Sequence, residues 1–324
     1  MATAPTSTMI PPPAAPEFLA RHGWAGAKIR PLAGDASFRR YFRVHDGGRT
    51  AVLMDAPPEH EDSVPFIAVA RHLHALGFRA PELLGSDLEQ GLILLEDFGD
   101  ARVAPVLAAA PDREGAIYAQ AIDLLVDLHR HTGPGMRAYD VAELRREVRL
   151  FTDWYLPAAH IAEGQGYDAA WDAVWQYALP VAPVLTLRDY HADNLMLLPD
   201  GELGLLDFQD ALAGHPAYDL VSLLQDARRD VDPAVETAML DRYMTAAGIV
   251  DRAGFRASYE VLGAQRNTKI IGVFTRLRDR DGKGGYIALL PRVWAHLTRN
   301  LAHPALAPVA AWFDAHLPRA VRPA

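Results

Sequence analysis

Arg188-Asp189-Tyr190-His191-Ala192-Asp193-Asn194, then Leu205-Leu206-Asp207-Phe208-Gln209-Asp210, are the stretches on which the reading of this chain turns. Apolar runs frame them. Val184-Leu185-Thr186-Leu187 leads in, Leu195-Met196-Leu197-Leu198 leads out, and Leu203 to Leu206 returns after the turn-forming Pro199-Asp200-Gly201. The pattern predicts short strands and a hairpin that bring Asp189, Asn194 and Asp207 to one end. Asn194 lies five residues after Asp189, and Asp207 thirteen after Asn194. A single such spacing is what ordinary turn acids produce. Here, however, one of only three asparagines in the chain falls at this position, followed by a hairpin and Asp-Phe.

These side chains suit phosphoryl transfer. That reaction needs a carboxylate to orient the attacking hydroxyl and take its proton, and hard oxygen ligands for Mg²⁺. Asp189 suits the first task; Asn194 and Asp207 suit the second. The composition narrows the field. The 324 residues are half hydrophobic, enough for one large core or two lobes. There is no cysteine, so disulfide and thiolate chemistry are excluded, which fits a cytoplasmic location. The net charge of −9 argues against nucleic acid or an anionic membrane as partner. No stretch approaches the roughly 18 apolar residues of a membrane span. One island opposes the acidic balance: Lys28, Arg30, Arg39, Arg40 and Arg43 face the single acid Asp35. It reads either as an anion site or as a solvated strand face.

Outward towards the N-terminus, residues 1–16 are rich in Ala, Pro and Thr and read as a disordered tail. Strand signals follow at Lys28–Leu32, Phe38–Val44 and Thr50–Met54, with a turn at Asp46-Gly47-Gly48. Ser63–Leu76 has helical spacing and ends at Gly77. Two more strands, Leu83-Leu84-Gly85 and Gly91–Glu96, flank the turn Asp87–Gln90. The predicted order is β-β-β-α-β-β. Beyond Gly99 the texture is mainly helical, with candidates at Tyr118–His129, Glu143–Tyr155, Tyr167–Leu179, Val235–Ala247, Ala257–Leu277 and Ile287–His296. The expectation is an α+β, bilobal protein. Its N-lobe, 17–97, binds nucleotide on a five-stranded antiparallel sheet with one helix. Its C-lobe, 98–324, is mainly α, carries the catalytic hairpin and binds substrate.

From about Pro31 to Pro291 the chain resembles the aminoglycoside phosphotransferase and choline kinase-like group, relatives of the protein kinases. Gly34 to Arg43, Met54 to Asp62, Leu95-Glu96-Asp97-Phe98-Gly99, Asp207-Phe208-Gln209-Asp210-Ala211 and Gln265-Arg266 sharpen the resemblance. Together they are similar to the cell-wall amino-sugar anomeric kinases. That implies a protein-kinase-like fold and ATP-dependent phosphorylation of the C1 hydroxyl of N-acetylmuramate or N-acetylglucosamine in cell-wall sugar recycling, by a monomer that uses Mg²⁺. It also implies that Gly34 to Phe38 covers phosphate, with backbone N–H groups of Ala36 and Ser37 in reach. The backbone of Glu96, Asp97 and Phe98 would form the adenine hinge. Sugar contacts are expected from Asp210, Arg266 and Tyr155, although for Tyr155 and its neighbour Trp154 filling core is the favoured alternative.

Two positions depart from that group. Leu187 stands where it has the histidine of His-x-Asp, and Met54 where a strand lysine holds phosphate. The only lysines are Lys28, Lys269 and Lys283. Arginine can replace lysine as a two-pronged phosphate ligand. Arg40 alternates with Phe38, Phe42 and Val44 and is the expected substitute, with Arg43 or Lys28 next. Glu61 either pairs with that arginine or is a helix-start acid. Asp219 is expected to brace the catalytic loop, with His129 and His131 packed beneath it. Arg266, Arg276 and Arg278 suit a carboxylate-bearing sugar better than a cationic aminoglycoside. The alternatives are a kinase of another small hydroxyl compound, such as an aminoglycoside or amino alcohol, and a nucleotide-binding pseudokinase.

Overall fold

The computed structural model describes residues 9–34, 38–132, 135–180, 182–317 and 322. They fall into two compact units, 1–106 with 193–210, and 107–192 with 211–324.

The first unit is built on a five-stranded antiparallel sheet. Its strands are β1 (Lys28–Gly34), β2 (Arg40–Asp46), β3 (Arg49–Asp55), β4 (Leu83–Asp87) and β5 (Leu92–Glu96), in spatial order β1-β2-β3-β5-β4. Asp46 pairs with Arg49, so Gly47-Gly48 is a two-residue hairpin loop; Gly47 has φ +60°, which glycine adopts without steric penalty. The predicted β-β-β-α-β-β order is observed. Strand alternation sends Phe42, Val44, Ala51, Leu53, Leu92 and Leu94 to one face. Helix α1 (Ala15–Arg21) covers that face with Phe18 and Leu19. Burying each such side chain contributes about 1.5–3 kcal/mol. Part of the expected tail, residues 1–16, belongs to this packing. Met9 already packs on this cluster and α1 begins at Ala15, because one apolar sheet face needs a cover.

Helix α2 (Val64–Ala75) follows β3. Asp62 Oδ1 accepts the Val64 N–H at 2.9 Å and Pro65 sits in the first turn, so the helix start is specified locally. Gly77, at φ +87°, ends it. The same unit holds helix α3 (Val103–Ala109), which straddles its boundary, and the hairpin β7 (Leu195–Leu197) with β8 (Leu203–Leu205). Leu205 N–H bonds the Arg79 carbonyl and Arg79 pairs with Asp200, so the hairpin is tied to the segment after α2.

The second unit is helical apart from the short pair β6 (Val184–Thr186) and β9 (Leu212–Gly214). Its helices are α4 (Glu114–Leu128), α5 (Val141–Leu150), α6 (Leu156–Ala158), α7 (Tyr167–Asp172), α8 (Trp175–Ala178), α9 (Ala217–Leu224), α10 (Pro233–Ala246), α11 (Arg252–Asp279), α12 (Leu290–Leu301) and α13 (Ala307–His316). The 28-residue α11 is central and packs on α5, α9 and α12. A Cβ on Gly272 would collide with the Leu150 carbonyl, so glycine sets how closely α11 approaches the end of α5. Residues 151–155, predicted as plain helix, form a π-helical turn there. The predicted helix Tyr167–Leu179 is split into α7 and α8. Among the described residues, no helix is long and apolar enough to cross a membrane.

Candidate active site

The Asp189 loop is held by one buried acid. Asp219, in the first turn of α9, is fully buried and accepts the N–H groups of Leu187 at 2.8 Å and Arg188 at 2.7 Å. Arg188 adopts φ +72°, a left-handed conformation that is costly for a non-glycine residue. The Asp219 carboxylate holds it there. His129 also lies on Asp219, at 3.4 Å, with Tyr243 OH on its other nitrogen, as a bracing role beneath the loop requires. Leu187 fills its position by burial.

Glu147 of α5 anchors the same loop from a second side. Its carboxylate pairs with Arg188, takes the Tyr139 hydroxyl, and meets Lys269 Nζ at 2.7 Å and Gln265 Nε2 at 2.9 Å. Burial pushes this carboxyl up, but Lys269 and Arg188 overcome that and hold it at about 2. Asp189 remains accessible, with 41% of its side chain exposed. Arg266 Nη2 lies 3.8 Å from it. Burial raises the Asp189 carboxyl, while Lys269, Arg266, His191 and Arg188 pull it below the usual aspartate value. Asp189 is thus an ionised acceptor at neutral pH.

Asn194 and Asp207 are brought together by the hairpin. Leu206 N–H bonds the Asn194 carbonyl at 2.9 Å, and Asn194 Nδ2 lies 3.2 Å from Asp207 Oδ2. Gln209 Nε2 donates to Asp207 Oδ1 at 2.7 Å. Asp207 has φ +56°, so the backbone is bent to present this side chain. Among the described residues no three His, Asp or Glu side chains gather as a metal cluster. The Asp207 carboxylate and the Asn194 amide, through its Oδ1, are hard oxygen donors and nonetheless fit Mg²⁺, which keeps few protein ligands and takes phosphate oxygens and water for the rest.

The arginines of the sheet sort themselves differently from the expectation. Strand β2 begins at Arg40, and Phe38 is 62% exposed, so the alternation that singled out Arg40 does not extend back through Phe38. Arg40 lies on Asp55 at 2.5 Å with 40% of its side chain exposed. Arg39 is the buried one. Its Nη2 is 3.1 Å from Glu61 Oε2, and Glu61 Oε1 accepts the Phe38 N–H at 3.0 Å. Glu61 lies before α2 and pairs with Arg39, not with Arg40, the arginine it was expected to serve. Arg43 pairs with Asp97 and Asp100. In the expected hinge, the Asp97 carboxylate also takes the Gly99 N–H, Glu96 closes β5, and Phe98 lies against Gly204. Ala36 and Ser37 lie outside the described residues.

Of the expected sugar contacts, Asp210 is exposed. Arg266 is 4% exposed and donates to Ser222 Oγ at 2.9 Å. Tyr155 is 9% exposed, stacked on Phe151 and tilted against Trp294, so its ring fills an aromatic core, not a sugar site. Gln209, Glu147 and Lys269 were missed. Gln209 carries a local signal, two residues from Asp207. Glu147 and Lys269 carry none, because their partners are distant in sequence.

An antiparallel sheet unit, a helical unit and an acid–amide pair on a hairpin define a phosphotransferase of the kinase-like type. The chain belongs to the phosphotransferase enzyme family, which it matches over residues 28–257. It is 37% identical to an N-acetylmuramate/N-acetylglucosamine kinase of Caulobacter vibrioides, over 93% of this chain and 95% of that protein. It is 41% identical to a kinase of the same name from Pseudomonas aeruginosa, over 89% and 88%. Among solved structures, a choline/ethanolamine kinase family protein from Mesorhizobium loti shares the fold with a TM-score of 0.65 at 16% identity, covering 92% of this chain and 95% of that one. The protein is therefore a kinase, and the pseudokinase alternative falls away.

Proposed function

We propose that the protein transfers the γ-phosphoryl group of ATP to the anomeric hydroxyl of N-acetylmuramate or N-acetylglucosamine. The observation that carries this reading is the Asn194–Asp207 pair at 3.2 Å, in a chain that also keeps Asp189 ionised and exposed. Asp189 accepts a hydrogen bond from the attacking hydroxyl and orients it. Since its carboxyl is a weak base, the proton moves late, as the hydroxyl oxygen bonds to phosphorus and becomes acidic. Asn194 and Asp207 would hold Mg²⁺, which supplies charge neutralisation on the phosphates. Arg39, fixed by Glu61, takes the phosphate role assigned from sequence to Arg40. Backbone groups at Glu96 to Phe98 meet the adenine.

Sugars fit better than aminoglycosides. Arg188, Arg266 and Lys269 surround Asp189 and would repel a polycation. The relatives named as kinases of these two sugars support the same choice. The test is to incubate the protein with Mg²⁺-ATP and a panel of N-acetylated sugars and aminoglycosides, follow ADP release, and assign the product by NMR. A phosphate at C1 of either sugar is the expected result. Turnover of aminoglycosides alone would overturn it.

A further inference from the structure

Three arginines on α11 suited an acidic sugar by sequence, and the structure separates them. Arg266 is buried on Ser222, and Arg278 forms a two-pronged pair with its neighbour Asp279. Arg276 differs. It is half-buried, its Nε is buried with no hydrogen-bond partner among the described residues, and no carboxylate forms an ion pair with it there. Its charged surroundings include like charges. Burial and then Arg280 lower its pKa, Asp281 partly offsets them, and Arg146 lowers it further. Arg280 is itself bound to Asp281, and Arg146 to Glu143.

Register links this arginine to the catalytic carboxylate. Gln265, Lys269, Gly272 and Arg276 recur at helical spacing on one face of α11. Gln265 and Lys269 hold Glu147, and Lys269 also acts on Asp189. Arg276 stands two turns further on, roughly 10 Å along the axis. Arg146 connects it to the site, since Arg146 interacts electrostatically with Arg276 and also with Glu147 and Arg188, the residue before Asp189.

From this geometry we infer that Arg276, with Arg146 beside it, is the recognition group for a carboxylate on the sugar, and so sets the preference for N-acetylmuramate over the neutral N-acetylglucosamine. The inference rests on the function proposed above and deepens it. An anion relieves the repulsion among the arginines and supplies the acceptor that Arg276 lacks. A guanidinium suits this task because it accepts a carboxylate on two prongs.

The test measures kcat/KM for both sugars with the wild-type enzyme and with Arg276→Gln, Arg276→Lys and Arg278→Ala. Wild-type turnover of the two sugars checks the underlying function on its own. Arg276→Gln is expected to lower kcat/KM for N-acetylmuramate by roughly tenfold to a hundredfold, the range for a charge-assisted hydrogen bond, while N-acetylglucosamine changes less than about twofold. Arg276→Lys is expected to recover part of the loss, and Arg278→Ala to leave the ratio as it was. The ratio of the two sugars is read on one preparation, so partial unfolding cancels. An active wild type whose ratio is unmoved by Arg276→Gln, or a variant that loses both sugars equally, overturns the inference.

Discussion

The hairpin around Asn194 and Asp207 and the network around Glu147 both concentrate polar groups, by opposite routes. In the hairpin, three side chains within sixteen residues of one another meet at half-exposed positions, and the bonds between them are single hydrogen bonds. In the network, Arg188, Gln265 and Lys269 come from far along the chain to join Tyr139 and Glu147, and together they enclose a carboxylate that is 1% exposed. The difference separates chemistry from support. A half-exposed pair is free to exchange partners with a metal or phosphate. A buried charge surrounded by partners positions what it touches, and its removal is felt as lost stability.

Asp189 lies between those two categories, and the largest effect is expected there. Asp189→Asn should lower kcat by about 10²–10⁴-fold, the range for general-base assistance, with nucleotide binding and melting temperature retained. Steady-state ADP release with a thermal melt checks this. Near-normal turnover would remove Asp189 from the chemistry and leave it a structural acid.

Glu147→Gln should do the reverse. It strips Lys269 and Arg188 of their buried anion and should destabilise the fold by about 3–5 kcal/mol, read from urea unfolding midpoints. If the unfolding midpoint holds while kcat falls, the network is part of the chemistry and the contrast fails.

The hairpin and the sheet are probed with smaller expected losses. Asp207→Ala should lose at least about tenfold in nucleotide affinity in Mg²⁺ and little in EDTA, as measured by titration calorimetry. Arg39→Ala should lower kcat/KM for ATP by roughly ten- to a hundredfold. Arg40→Ala should stay within about threefold, since Arg40 is half-exposed and its guanidinium is already engaged by the buried Asp55 carboxylate. The reverse ranking would return the phosphate role to Arg40.

The smallest effect concerns pH. Burial lowers His215 and His296 of the second unit to about 4, against about 6.5 unfolded. Between those values the unfolded chain binds protons that the folded one does not, so stability falls as pH drops from 6.5 towards 4. Glu147, held at about 2, adds a further loss from about 4.5 down to about 2. Urea midpoints at pH 7.5, 6 and 5 should decline in that order, and His296→Asn should flatten the decline.

What was legible in the sequence was local. Two-residue alternation, a Gly-Gly turn and a Gly-terminated helix specify the sheet and α2, because each signal lies within a few residues of the structure it causes. Asn194 and Asp207 were found for the same reason, since a hairpin joins them. Asp219 and Glu61 were singled out as well, one as a brace for the Asp189 loop and the other as a possible arginine partner. Tertiary packing decided the rest. Helix α1, which no sequence signal announced, begins inside the expected tail because the sheet presents an apolar face that it covers. Which of two adjacent arginines turns inward depends on where β2 begins and on where Glu61 lies, not on their side chains, which are identical. Tyr155 is core because Phe151 of the π-helical turn stacks on it and Trp294 of α12 packs against it at a tilt. Glu147 and Lys269 meet because Gly272 lets α11 lie close to α5. A charge pair of that kind has no sequence period to betray it, since nothing but the packing of two helices sets the distance between its members.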